Sequence, residues 1–387
     1  MMARYLILFM IVAVVLLPQP SMADADEHTT LIFMGDLVFD GAIGERIETY
    51  GTDYPFEEIM EHIDDADLTF ANLETPVSDR GVEEEGKYCT FRSDPSTIGC
   101  LEYAGIDAVS LANNHCLDYG YDALNDTMGY LDDAGIGHAG IWYDDPIENA
   151  SMQRPVILEA SGLTFGFLAY TENVRDHWMA AGELPGPLPL DRDLMEKDIV
   201  YARDLVDVLI VSIHWRKWPQ YTKSPEEGDM DLCRDLIDRG ADIIMGHGPH
   251  TVHQVEGYGD GLILYSLGNA VMDTADESSD HSYVAKVKVD NDGSISSLEL
   301  IPTYKDTHRY VPMGSPISRD VEEGFNISYD EVWEMYDEDI YDSVGGEEGL
   351  ELILALRGAS WYFKGFLLVS LVVIVSGISF IIFLLKK

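Results

Sequence analysis

Basic residues are scarce: the chain holds 24 lysines and arginines against 70 aspartates and glutamates, a formal charge of −46. So negative a surface repels nucleic acid and anionic lipid headgroups, which excludes a nucleic-acid partner. The excess suits either a strongly hydrated surface working in high salt or an ordinary acidic ectodomain. Cysteine is also sparse. Four of them (Cys89, Cys100, Cys116, Cys233) cannot build a disulfide scaffold in a domain this large, although Cys89 and Cys100 remain free to pair in an oxidising exterior. No internal repeat is visible, and long apolar runs are missing everywhere except at the two ends.

Those ends set the expected address. Arg4 precedes the apolar stretch from Tyr5 to Leu17, and Ser21-Met22-Ala23 offers the small residues a signal peptidase reads, so residues 1–23 are expected to be a signal peptide. Phe366 to Leu385 carries no charge over roughly 20 residues, the thickness of a hydrocarbon core. It reads as a single transmembrane helix. Lys386 and Lys387 follow it, which puts the C-terminus in the cytoplasm and the body outside the cell membrane.

Between Thr30 and Thr303 short apolar runs alternate with amphipathic stretches, the pattern of an α/β fold. Strands are expected at Leu31–Met34, Leu68–Ala71, Ala108–Leu111, Thr164–Tyr170, Val208–Ile213, Ile243–Met245 and Leu262–Tyr265. Helices are expected at Tyr54–Ile63, Pro95–Ala104, Ala123–Ala134, Asp191–Leu205 and Glu226–Arg239, with a closing hairpin at Tyr283–Val289 and Ile295–Ile301. The proline- and glycine-bearing stretch from Glu172 to Pro189 reads as an excursion over the sheet edge. Residues 304–361 are acidic and read as a stalk that holds the 30–303 domain away from the bilayer.

The apolar runs end in polar clusters: Gly35-Asp36, Ala71 to Glu74, Ala112 to His115, Thr171 to Asn173, His214-Trp215, Gly246 to His250 and Ser266 to Asn269. Ending strands this way delivers ligands to the carboxyl edge of a sheet, where the crevice of an α/β fold lies. A two-metal hydrolytic site needs oxygen and imidazole donors from several strand ends and a carboxylate that can bridge. Here Asp36 can bind one ion, Glu74 can bridge, Asn114 can give an amide oxygen, and His214, His247 and His250 can give imidazoles. His115 is left as the acid for a leaving group. Asp118 is either its hydrogen-bond partner or a helix N-cap. Asn72 and Asn269 are expected to support the ligands from behind, and Arg216 and Lys217 to hold a polyanionic substrate. Such a donor set suits two divalent ions of Mn, Zn or Fe alike.

The strings GDLVFD (Gly35 to Asp40), ANLETPVSD (Ala71 to Asp79), SLANNHCLDYG (Ser110 to Gly120), GHAG (Gly137 to Gly140), SIHW (Ser212 to Trp215), GHGPHTVHQVE (Gly246 to Glu256) and YSLGNAV (Tyr265 to Val271) resemble the CapA-type poly-γ-glutamate capsule synthesis family. The resemblance runs from about Leu31 to Asp273, in the family's order. It implies a calcineurin-like metallophosphoesterase sandwich, two central β-sheets flanked by helices, carried here above the C-terminal transmembrane helix. By that resemblance Asp36 and His250 would serve one metal, Asn114, His214 and His247 the other, and Glu74 would bridge. His115 would face the substrate. The chain departs from the family at three places: the usual HWGxE is His214-Trp215-Arg216-Lys217-Trp218, GHHPH has Gly248 in its middle, and Ala270 stands where Phe is usual after SLGN.

The expected function is a membrane-anchored extracellular protein of capsule biosynthesis or export. Its partners would be an anionic polymer such as poly-γ-glutamate, or its precursor, and other membrane components of the capsule machinery. The altered loops keep open a non-catalytic scaffold or export accessory with a degenerate metal site. A secreted metal-dependent phosphodiesterase is the third reading.

Overall fold

A computed structural model describes residues 28–142, 153–172, 185–215, 224–273, 280–306, 309–312 and 314–336, together with Arg175 and Trp178. The expected signal peptide, the transmembrane helix, Arg216 and Lys217 lie outside these residues. Among the described residues no helix is long and apolar enough to cross a membrane.

The strands in chain order are β1 (His28–Leu37), β2 (Leu68–Leu73), β3 (Ala108–Ser110), β4 (Gly137–Ala139), β5 (Ile141–Trp142), β6 (Val156–Ala160), β7 (Leu163–Thr171), β8 (Gly186–Pro187) and β9 (Val208–His214). They continue as β10 (Ile243–His247), β11 (Val255–Tyr258), β12 (Gly261–Leu264), β13 (Asn269–Val271), β14 (His281–Asp290), β15 (Ile295–Asp306), β16 (Arg309–Pro312) and β17 (Ile317–Asp320). The helices are α1 (Gly41–Tyr50), α2 (Met60–Ile63), α3 (Ile98–Tyr103), α4 (Gly120–Ala134), α5 (Arg192–Arg203), α6 (Glu227–Asp238) and α7 (Tyr329–Glu334).

A nine-stranded sheet has the order β16-β15-β14-β1-β2-β3-β4, with β13 beside β1 and β17 beside β15. A six-stranded sheet has the order β11-β12-β10-β9-β7-β6. Their inner faces meet in an aromatic contact: Phe33 of β1 stacks on its neighbour Phe70 of β2 at 5.4 Å within the nine-stranded sheet, and Phe70 meets Phe167 of β7 across the interface at 5.3 Å. The alternate residues Ile32 and Met34 of β1 point the other way, into a core with Ile43 and Ile47 of α1, Leu101 of α3 and Leu124, Met128 and Leu131 of α4. The six-stranded sheet likewise packs Leu209, Val211 and Ile213 against Met195 and Ile199 of α5 and Leu232 and Leu236 of α6. Both sheets are therefore covered on both faces, which explains why their central strands read as unbroken apolar runs rather than as alternation.

Several expectations need correcting. Helix α1 was not expected, since Gly41 and Gly44 weaken the pattern; it forms because Asp40 caps it through Gly41 N at 2.7 Å and because Ile43 and Ile47 are buried. The helix expected at Tyr54–Ile63 is mostly a run of tight turns, closed by three-residue bonds such as Phe56 N to Asp53 O and Ile59 N to Phe56 O. Only Met60–Ile63 is α-helical. The folded unit also runs past Thr303. Strands β16 and β17 both pair with β15, Tyr310 is fully buried, and Val255 and Ile327 exchange backbone bonds at 2.9 and 3.0 Å. The compact unit extends through Trp333, so the stretch expected to begin a stalk is sheet. Cys89 is exposed and Cys100 buried, and both are free thiols.

Candidate metal centre

The polar strand ends of both sheets converge at one place. Asp36 near the end of β1 and Asn72 of β2 are register partners, and Asn72 Nδ2 donates to Asp36 Oδ1 at 2.8 Å. Asn269 of β13 is the register partner of Asp36 on its other side. From the six-stranded sheet, His214 and His247 end β9 and β10 as register partners. His247 Nδ1 lies 3.0 Å from Asp36 Oδ1, and His214 Nε2 lies 3.1 Å from Glu74 Oε1. Those two contacts bridge the sheets.

His250 completes the group. Its Nδ1 lies 2.9 Å from Asn269 Oδ1 and 3.6 Å from Asp36 Oδ2, and its backbone sits at φ 56°, a left-handed conformation costly for a residue with a Cβ. Ligand atoms of Asp36, Glu74 and His250 all lie within 4.8 Å of one another, and all three residues are buried. Burial opposes ionisation of Asp36, but the hydrogen bonds and charges of His247 and His250 outweigh it and hold its pKa well below the usual carboxylate range. Burial likewise opposes protonation of His250. Asp36, Glu74 and Asn269 overcome it and raise the pKa to about 9.

Two glycines shape the approach. A Cβ on Gly35 would stand 2.0 Å from Gly268 O, so only glycine lets β1 lie against the turn before β13, where Asp36 N donates to Gly268 O at 3.1 Å. Gly248 has φ +98°, and a Cβ there would stand 2.4 Å from Trp215 O. The middle position of the His247–His250 loop thus takes no side chain in this chain.

Asn113 is fully buried and fastens the corner after β3, with Nδ2 donating to Leu73 O at 2.8 Å and Oδ1 accepting from His115 N at 3.0 Å. Asn114 follows it, and its Oδ1 is buried without a hydrogen-bond partner. His115 places Nε2 3.9 Å from Glu74 Oε1 and Nδ1 2.6 Å from Asp118 Oδ2. Asp118 also accepts from Phe91 N at 2.7 Å and does not cap α4, whose N-cap is Tyr119. Burial, then the ammonium of Lys87, lowers the His115 pKa; Asp118 and Glu74 oppose them without prevailing. Lys87, Phe91 and Asn113 were not read from the sequence. Nothing in the irregular stretch after β2 marks the first two, and Asn113 was legible only as a member of ANNH. Asp40, next to the metal-like motif, caps α1 and accepts from Arg92 N at 2.9 Å.

Whether this constellation fits metal ions can be asked of its unsatisfied atoms. Glu74 Oε2, Asn114 Oδ1, His214 Nδ1 and His247 Nε2 are all buried without hydrogen-bond partners. Buried polar atoms are ordinarily paired. Three of these orphans belong to side chains that meet at the carboxylate junction, and with the amide oxygen of Asn114, next in the chain to His115, they are of the oxygen and imidazole type that fits divalent transition-metal ligation.

Comparison with known proteins agrees with the motifs. The family described as bacterial capsule synthesis protein PGA_cap matches residues 30–274. The capsule biosynthesis protein CapA of Bacillus anthracis is 27% identical over 285 residues, covering 72% of this chain and 67% of that protein. The PGA biosynthesis protein CapA of Bacillus subtilis is 26% identical over 299 residues, covering 76% of each. A probable polyglutamine synthesis accessory protein of Mycobacterium tuberculosis is 29% identical over 266 residues, covering 64% of this chain and 69% of its own. Among solved structures, a phosphatase from Mycoplasma pneumoniae superposes with a TM-score of 0.46 at 13% identity, over 71% of this chain and 93% of that one, a likeness too distant to assign chemistry. With strand-end motifs, their order and the matched span in agreement, the chain belongs to the bacterial capsule synthesis protein PGA_cap family.

Proposed function

We propose that this chain is a CapA-type protein of poly-γ-glutamate capsule biosynthesis or export whose sheet junction is a two-metal hydrolase-like centre of the metallophosphoesterase kind. The observation that carries the reading is the meeting of Asp36, Glu74 and His250 within 4.8 Å, ringed by orphaned donors from both sheets. Asp36 and His250 would hold one ion, Asn114, His214 and His247 the other, and Glu74 would bridge them. Two divalent ions so held supply Lewis-acid polarisation of a phosphoryl or acyl oxygen and activation of water. The protein's own part is to orient and to move a proton. Asp118 accepts the Nδ1 proton of His115, which leaves the lone pair of Nε2 facing Glu74 and the shared crevice, in place to take up a proton and, once it carries one, to pass it to a departing group. The substrate class is an anionic polymer or a phosphoester or amide linkage met during its export, with Arg216 and Lys217 as the local cations. A signal peptide, the segment 366–385 as anchor and an extracellular body complete the proposal.

The test uses full-length protein purified in detergent without chelator. Elemental analysis should find two equivalents of Mn, Zn or Fe, and a chromogenic phosphodiester or poly-γ-glutamate should be turned over. Activity that persists in Asp36→Asn combined with His115→Ala belongs to a contaminant. Two bound ions with no turnover of either substrate favour the scaffold reading instead.

A further inference from the structure

The stretch between β2 and α3 delivers a largely buried cation to the edge of the centre. Lys87 Nζ donates to the main-chain oxygen of Asn114 and to Asp118 Oδ1, and lies 3.0 Å from His115 Nδ1. Its side chain is only 13% exposed, while that of Asp118 is fully buried. The same stretch adds Phe91, whose ring lies on the His115 imidazole at 4.4 Å and whose amide binds the second oxygen of Asp118. His115 is thus gripped on its ring face, at Nδ1 and through its preceding peptide by residues more than twenty positions upstream. Its Nε2 lies 3.9 Å from Glu74 Oε1, and the preceding residue, Asn114, carries a buried Oδ1 without a hydrogen-bond partner.

A surface ion pair would carry no such meaning, because exposed pairs contribute little. A largely buried ammonium that binds the Asn114 peptide oxygen and lies against His115 Nδ1 is placed to fix the rotation of that peptide and the plane of the His115 ring together. We propose that Lys87 is a positioning residue that sets the Asn114–His115 corner, so that the amide oxygen of Asn114 and Nε2 of His115 point at the same crevice. This rests on the two-metal reading for what Asn114 ligates, but not for the orientation of His115. Lys87 touches neither substrate nor ion in this role.

The chemistry at Nδ1 makes the claim specific. An ammonium can only donate and an ionised carboxylate can only accept. The shorter contact, 2.6 Å to Asp118, places the ring proton on Nδ1, and Lys87 then serves by holding Asp118 and the Asn114 peptide in register. Replacing the lysine frees both.

The experiment compares full-length wild type with Lys87→Met and Lys87→Arg by two readouts. One is stepwise affinity for Mn²⁺ and Zn²⁺ by titration calorimetry; the other is the imidazole nitrogen spectrum of ¹⁵N-histidine-labelled protein, assigned with His115→Gln. In Lys87→Met, affinity for one of the two ions should fall by about 10- to 100-fold, as when a support behind a ligand is lost. The other ion should be held as before, and the His115 signal should leave the Nδ1–H position. Lys87→Arg keeps the charge and should recover part of both effects. If Lys87→Met does not fold, Lys87→Arg decides alone, because its wider guanidinium cannot occupy the lysine's place between two close acceptors and the His115 ring: a changed His115 signal supports the proposal and an unchanged one overturns it. Wild-type metal affinities together with an unaltered His115 signal in a folded Lys87→Met overturn it too. A wild type that binds one ion defeats the two-metal reading, and the nitrogen spectrum then decides the role of Lys87 by itself.

Discussion

The imidazole of His247 faces the Asp36 carboxylate on one side and offers a buried nitrogen with no partner on the other. A residue so placed in a core is either a defect or a ligand. His247→Ala should therefore lower metal affinity by at least about tenfold, as loss of a support behind a ligand already does, and unchanged metal content in the purified variant would remove it from the ligand set. Away from the centre, Asp198 supplies a pH-dependent contribution to stability. Its carboxyl accepts from Tyr170 OH and from Gln153 N at 2.8 Å each, and burial, only partly offset by those bonds, raises its pKa from 3.8 to about 6. The folded state thus keeps a proton that the unfolded chain has released. The sign follows: the stabilisation is complete below about pH 4 and is lost as pH rises through 6. Asp198→Asn should flatten this part of the profile, so the stability difference between variant and wild type should change across pH 4 to 6 and be constant above 7. Denaturant titrations at half-unit steps would read it, and a pH-independent difference would show that Asp198 stays ionised.

Strand β1 carries the centre, and its position depends on the absence of a side chain at Gly35. The Cβ of Gly35→Ala would have to displace the Gly268 carbonyl, a backbone atom held by Asp36 N. Overpacking of this kind costs about 1–3 kcal/mol, and it should also pull Asp36 off its partners, so that melting temperature and metal affinity drop together. A variant that loses stability while binding metal normally would disconnect the strand from the site. The elements also explain what could be read from sequence. β1, β2, β9 and β10 are buried on both faces and carry Asp36, Asn72, His214 and His247 at or near their ends, so an apolar run followed by a polar side chain marked both the strand and a residue of the junction. α1 was hidden because its capping comes from Asp40 and its anchoring from Ile43 and Ile47, neither of which offsets two glycines in a propensity count. Lys87 and Phe91 were hidden because an irregular segment has no period to read, and their partners Asn114, His115 and Asp118 come from another stretch of chain.

At the scale of the molecule, the acidic tail of the folded unit was misread for a compositional reason: β17 alternates half-buried and exposed residues, and its polar face looks like a solvated linker. Truncation tests the corrected boundary. A chain ending after Thr303 loses β16 and β17 and exposes the pocket that Tyr310 fills; removing a buried aromatic of this size costs about 3–5 kcal/mol, so that chain should melt well below one ending after Tyr336. Equal melting temperatures would return the boundary to Thr303. The charge of −46 makes a second demand on the whole chain. Self-repulsion within the compact state is screened over about 10 Å at 0.1 M salt and about 3 Å at 1 M. Thermal midpoints should accordingly rise with sodium chloride in this range, and a flat response would mean that the acidic side chains are too dispersed to strain the fold.

Donors at the junction come from separate halves of the sandwich: Asp36, Glu74 and Asn114 from the nine-stranded sheet and its loops, His214, His247 and His250 from the six-stranded one. If the junction binds metal as proposed, an ion there would act as a rivet. Whatever compartment supplies the cation would also decide when the two halves finish closing, through mass action on the closed state alone. Starvation for metal would then surface as a maturation defect, a chain that breathes along its seam and is open to proteases, before any shortfall in chemistry is noticed.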